Sequence, residues 1–418
     1  MRRSVHWIPA GPLVFAQFAQ LAAWLVLLAT GLHGGLAPSP LGLAWLHLIV
    51  LGWLTTVALA FLLHVIPAFT DTAWSGDRLA RASLWPYQAG VIVLVTGFAT
   101  WRPTLIEIGG ALVTASLAVY LTTALVTLAA AAHSSDRTTR AVARAMSMTL
   151  LLLSATVLAG TILADGLRTG TAAWLRWIPA HATLGLFGWL GALVVGVSAR
   201  THNRLIGRWE PRKRIHIAVG SLIWIGVLAI VVGIATNDAI LSLGGRAALA
   251  LGAVVYAVDN LRAAARASTR HVLPVLFVVA AQIWLLLAAG LGLAFPGDAA
   301  LQAAFACLLL LGWIGQSVNA HLAHVGIRLL ATIILGDDDE TPPAVLLSPV
   351  LGTASFICFQ AAVACVSLGT LQELPPLIAA GAILGIAGFA FFAWNVGVAA
   401  RNARRLHTIR PISLVLSE

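Results

Sequence analysis

Charge is scarce in this chain. Only 10% of its 418 residues are Asp, Glu, Lys or Arg, while 60% are hydrophobic. A water-soluble fold cannot hide that much apolar surface, so the composition demands lipid as solvent. Acid is scarcer than base, Asp+Glu 15 against Lys+Arg 25, which leaves a net charge of +10. No segment gathers that excess into a continuous basic domain, which argues against a nucleic-acid partner. Cysteine is nearly missing: Cys307, Cys358 and Cys365 lie in apolar runs and form no CxxC pattern. That argues against a disulfide framework and against a structural zinc site. The Met1-Arg2-Arg3-Ser4 start has the flavour of a signal peptide. No small-residue cleavage site followed by a polar mature domain comes after it, so the first apolar run reads as a retained helix.

What is present is a series of long apolar runs. At about 20 residues per crossing they give about twelve transmembrane helices and an all-α integral membrane fold. The runs lie at roughly 12–33, 43–66, 86–101, 105–132, 144–165, 178–200, 216–236, 239–258, 272–295, 300–330, 345–369 and 376–399. The tenth exceeds one crossing, which predicts tilt, a kink or projection beyond the bilayer. Arginines alternate between loops. The segments up to Ala10, and Pro67–Trp85, His133–Arg144, Arg200–Arg214, Asp259–Arg270 and Arg401 onward hold nearly all of them. The opposite loops hold only Arg102, Arg168 and Arg176. The positive-inside rule then puts both termini in the cytoplasm, with the acidic run Asp337–Glu340 as an inner exception that weighs little.

A short motif recurs. Leu51-Gly52-Trp53, Phe187-Gly188-Trp189 and Leu311-Gly312-Trp313 fall in the second, sixth and tenth runs, four crossings apart. Three copies of a four-helix unit, approximately 1–133, 134–270 and 271–400 with a tail 401–418, would set these helices around one axis.

The histidines are the chemistry-bearing residues. His47 and His181 precede the motif glycines toward the outer ends of the second and sixth runs, and His33 ends the first. His64 follows Gly52 by the interval at which His324 follows Gly312, and His321 lies one turn before His324. His47 and His64 stand about 25 Å apart along one helix, which separates an outer from an inner candidate site. Neutral imidazole binds haem iron or copper without burying a charge. A lone intramembrane histidine can equally bond a neighbouring carbonyl. His6, His133, His271 and His407 read as interfacial, and His202 and His216 flank the basic loop.

Trp45-Leu-His47 through Trp53, and His181 through Trp189, resemble the second and sixth helices of the haem–copper oxidase subunit I superfamily. The likeness is to its divergent non-oxidase members and to the NnrS family of haem- and copper-containing membrane proteins. It implies an oxidase-like bundle in which His47 would bind haem and His181 copper. Departures limit it. Gly185 stands where an oxidase has a tyrosine, the seventh run has no His-His pair, and His321 and His324 follow Trp313 rather than preceding it. A complete binuclear centre for reducing oxygen or nitric oxide is therefore not expected.

Polar residues inside apolar runs are costly and usually paired. Arg328 could meet a haem propionate or snorkel to the interface; Glu107 and Arg102 read as interfacial, and Arg246 could meet Asp238 or a propionate. Gln17, Gln88, Gln282, Gln316 and Asn319 read as interhelical hydrogen-bonding residues, and Pro342-Pro343 as a linker. The resulting expectation is a haem-binding redox protein of a bacterial inner membrane, with haem b and possible copper, served by a redox protein or quinone. His47, His181, His64, His321, His324 and Arg328 are its candidate cofactor residues. A twelve-helix secondary transporter and a structural subunit of a respiratory complex stay open.

Overall fold

The computed structural model describes residues 10–33, 36, 39–207, 213–269, 271–294, 298–336 and 340–415. Twelve helices in it are long and apolar enough to cross a membrane, and no strand occurs among the described residues. They are α1 (Ala10–Leu32), α2 (Pro40–Thr70), α3 (Asp77–Ala99), α4 (Pro103–Ala131), α5 (Arg137–Thr169) and α6 (Trp174–His202). The remainder are α7 (Arg214–Thr236), α8 (Ala239–Ala264), α9 (Val272–Gly292), α10 (Ala299–Leu335), α11 (Pro349–Leu371) and α12 (Pro375–Thr408). Large apolar side chains face outward along them: Phe18 is 67% exposed, Val350 77% and Ile240 83%. In water such a surface would aggregate; against acyl chains it costs nothing.

Local chemistry sets the helix starts. Ser39, Asp136, Asp238 and Asp298 each accept a backbone N–H from the first turn, with Asp238 Oδ1 2.9 Å from the Leu241 nitrogen. Asp238 is thus used as a cap. α3 begins at Asp77, earlier than the hydropathy near residue 86 suggests, because Arg81 folds back on Asp77 at 2.9 Å and supports a polar first turn. The last helix continues through Arg401 to Val415, so the expected tail is largely helical. Pro343 opens a one-turn helix, Pro343–Leu346, inside the segment expected to be a plain linker. Arg208, Arg212 and Asp337–Asp339 lie outside the described residues.

The threefold repeat is visible in packing. α3 and α4, α7 and α8, α11 and α12 form three antiparallel pairs, and α4 meets α5, α8 meets α9 and α12 returns to α1. The pairs close at equivalent glycines. A Cβ on Gly97, Gly233 or Gly369 would strike Ile106, Ser242 or Ile378, nine residues on in each case. Gly109, Gly245 and Gly381 press on Leu94, Ile230 and Val366 in the same order. The chain spacing between successive members of both triplets is constant, so these three hairpins share one gap-free register. Close backbone approach, which only glycine permits, is how lipid-embedded helices gain contact without a hydrophobic driving force.

The central helices α2, α6 and α10 share a rarer feature. Each opens into a π-helical stretch over the repeated motif: Leu48–Thr55, Leu184–Gly191 and Leu308–Ile314. A π turn widens the helix and loosens its carbonyl pairing. Side chains take up the slack: Tyr87 and Thr56 hydroxyls donate to the Leu51 carbonyl, and Gln316 donates to that of Leu311. The wide turns let three tryptophans interlock. Trp53 lies against Gly315 and Trp313 against Gly191, while Trp189 donates its indole N–H to Thr55 at 3.0 Å. Each ring meets the residue two places after the neighbouring tryptophan, a cyclic arrangement that α2, α10 and α6 complete together.

Candidate functional site

The arginine-poor end of the bundle carries His47 and His181. Relative to the motif tryptophans they differ by two residues in register: the counterparts of His47 are Thr183 and Cys307, and those of His181 are Trp45 and Phe305. The two imidazoles nevertheless lie within electrostatic reach of each other. His47 Nδ1 bonds the Leu43 carbonyl at 2.9 Å, and its ring stacks on Phe98 with centroids 4.4 Å apart. His181 Nδ1 bonds the Thr156 carbonyl of α5 at 3.0 Å, and its Cε1 lies 3.0 Å from where a Cβ on Gly160 would sit. Any larger residue at 160 would push the ring aside.

A carbonyl oxygen can only accept, so in both residues Nδ1 holds the proton and Nε2 the lone pair. No hydrogen bond engages either Nε2 among the described residues. That is the arrangement by which a backbone carbonyl fixes the tautomer of a metal-binding histidine. No group of three or more His, Cys, Asp or Glu that could hold a metal is found among the described residues. Two imidazoles would be enough to hold a haem iron and fall short of the three or four ligands usual for zinc.

At the arginine-rich end the expected trio is split. His321 immediately precedes a second π stretch, Leu322–Gly326, that contains His324, and the two face different neighbours. His321 Nδ1 donates to the Ser317 carbonyl at 2.7 Å, and its Nε2 meets the Thr201 hydroxyl at 2.8 Å. Its ring stacks on that of His202 at 6.1 Å, and His202 Nδ1 meets Asn260 Oδ1 at 2.9 Å. His324 instead faces His271, Nδ1 to Nδ1 at 3.4 Å. His64 bonds neither His321 nor His324; its counterpart in the second copy is Arg200, which donates to the Phe69 carbonyl at 3.2 Å. Arg328 donates to the Thr341 carbonyl at 3.0 Å and so pins the connection ahead of α11.

His271 reads as interfacial from its sequence position, yet it is 8% exposed, and His202 beside the basic loop is 2% exposed. Of the other polar residues, Gln316 does join helices, receiving the Gln360 amide at 2.9 Å, whereas Gln282 bonds only within α9. Glu107 pairs with Arg168 at 3.0 Å, beside an Arg168–Asp165 bond of 2.8 Å. Both pairs are half exposed and contribute little to stability.

His271 gives the protein a pH response. Burial, and then the like charge of His324, push it down to about 4. A folded-state value below the unfolded one means that the unfolded chain binds more protons between those two values. Stability is therefore complete above about pH 6.5 and falls as the pH drops toward 4. Between pH 7 and 5, thermal unfolding in detergent is expected to show a stability loss smaller by about 1–2 kcal/mol in His271→Gln than in wild type. An identical pH profile in the variant contradicts this assignment.

The chain matches no protein-family model and no curated protein.

Proposed function

We propose that this protein is a haem-binding membrane redox protein with an oxidase-like bundle and an incomplete binuclear site. It resides in a bacterial inner membrane with both termini cytoplasmic, as the arginine asymmetry requires. The observation that carries the reading is the pair His47 and His181, each with Nδ1 committed to a carbonyl and an unclaimed Nε2 lone pair. These two residues would hold haem b, which supplies one-electron chemistry and affinity for diatomic gases. The protein's part is to fix both imidazole tautomers and keep the site in low dielectric, beside Phe98 and the small Gly160. Electron transfer with a quinone or redox protein, or the handling of nitric oxide, is the role this suits. Without the tyrosine and paired histidines of a binuclear centre, sustained oxygen reduction is outside it.

The test is an optical spectrum of protein purified from its native host, oxidised and then reduced. A reduced-minus-oxidised haem b signature near one haem per chain supports the proposal. Homogeneous, folded protein lacking haem points instead to the twelve-helix transporter reading.

A further inference from the structure

At one level of the bundle the second copy fills less space than the other two, and a void remains. It lies in the second copy, between α6, α7 and α8 and the facing α9 and α10, and Phe187, Ile223, Ala253, Tyr256 and Trp313 are among its walls. Its volume is about 20 Å³. It is too small for an acyl chain and large enough for a single small molecule.

The shared register of the three hairpins shows why the void exists. The counterparts of Ile223 are Tyr87 in the first copy and Phe359 in the third, both fully buried rings. The counterparts of Ala253 are Leu117 and Phe389. At both positions the second copy alone has the smaller side chain. In the first copy the Tyr87 hydroxyl reaches the Leu51 carbonyl. Leu51 corresponds to Phe187, which here borders empty space. Interiors pack to near-crystalline density, and unfilled space costs contact energy on every wall.

The walls also restrict the occupant. They are apolar apart from two groups. The Tyr256 hydroxyl donates to Ser198 Oγ at 2.8 Å, and the Trp313 indole N–H has no hydrogen-bond partner among the described residues, although Trp313 is 3% exposed. Water needs two to four polar partners to stay in a cavity, and one donor does not satisfy it. An apolar molecule of diatomic size suits the volume and the apolar walls.

We infer that this void is a binding site for a dissolved diatomic gas, set in the second copy beside the tryptophan ring. The inference extends the gas-handling part of the proposed function but does not require haem, so the two fail separately. The probe is xenon, an apolar atom that occupies dry apolar cavities. Crystals of the full chain pressurised with xenon are expected to show an anomalous peak between Ile223, Ala253 and Trp313. Ala253→Leu installs the first copy's residue and should abolish that peak while leaving any xenon elsewhere in the bundle or lipid in place. Ile223→Phe, the third copy's residue, should do the same and serves if Ala253→Leu does not fold. Xenon bound elsewhere with none in this void overturns the inference, as does a peak that survives both filled variants. A xenon peak in protein that lacks haem would keep the gas site and remove only the haem.

Discussion

His47→Ala is expected to strip most of the haem from the purified protein, or to convert it from a six- to a five-coordinate spectrum. Outer partners of metal-binding histidines alone are worth about 10–100-fold in affinity, so deleting a first ligand should cost at least that. His181→Ala should act alike, because its Nδ1 is held by the Thr156 carbonyl in the same manner as that of His47 by Leu43. His33→Ala is the internal control: its Nδ1 also bonds a carbonyl, that of Ala29 at 2.7 Å, but the residue is exposed at the end of α1. His321→Ala should leave this signal intact, since Thr201 already occupies its Nε2. The haem-to-protein ratio of folded, monodisperse wild type and the four variants decides the matter. Unchanged haem in His47→Ala would retain a haem protein but reject this ligand pair. Loss in His321→Ala alone would move the site to the arginine-rich end.

The contrast between these histidines shows what the sequence carries. The number of helices was legible because a bilayer imposes a length and a polarity on each crossing, and the twelve apolar runs meet both. The repeat was legible from the Gly-Trp motif, because these residues do the same packing task three times. The outer pair was legible as a pair of residues near one end, though not in its two-residue offset. The inner cluster was not legible. Reading His321 and His324 as neighbours assumes 3.6 residues per turn, and the π stretch that contains His324 breaks that assumption. The burial of His271 was hidden for another reason: a histidine at a helix end looks interfacial until the fold covers it. The start of α3 was hidden by Asp77, Arg78 and Arg81, whose polarity outweighs helix propensity in any hydropathy sum. Nor do apolar runs disclose a void, because Ile223 and Ala253 are as hydrophobic as the rings they replace.

The tryptophan ring predicts where stability is concentrated. Trp189 is 1% exposed, Trp53 2% and Trp313 3%, and each fills space against a different neighbouring helix. Lipid tails are as apolar as leucine, so removing such a ring forfeits contacts and leaves a cavity rather than exposing surface to water. Large-to-small changes at buried tryptophans cost about 3–5 kcal/mol, and the lower end is apt here because the transfer contribution is weak. Trp189→Ala additionally leaves the Thr55 hydroxyl without its indole donor. Trp189→Ala is therefore expected to melt well below wild type in detergent, with Trp53→Ala and Trp313→Ala close to it. Trp85→Ala, at a site 65% exposed, should shift stability by less than about 0.5 kcal/mol. Gly315→Leu tests the ring from the opposite side, since a Cβ there would meet the Trp53 ring at 3.1 Å and the Leu310 carbonyl at 2.8 Å. It should destabilise at least as much as Trp53→Ala, and combining the two should recover part of the loss because they act on one contact. If Trp189→Ala unfolds at the temperature of Trp85→Ala, the three central helices do not carry the bundle, and the cyclic interlock is incidental to its stability.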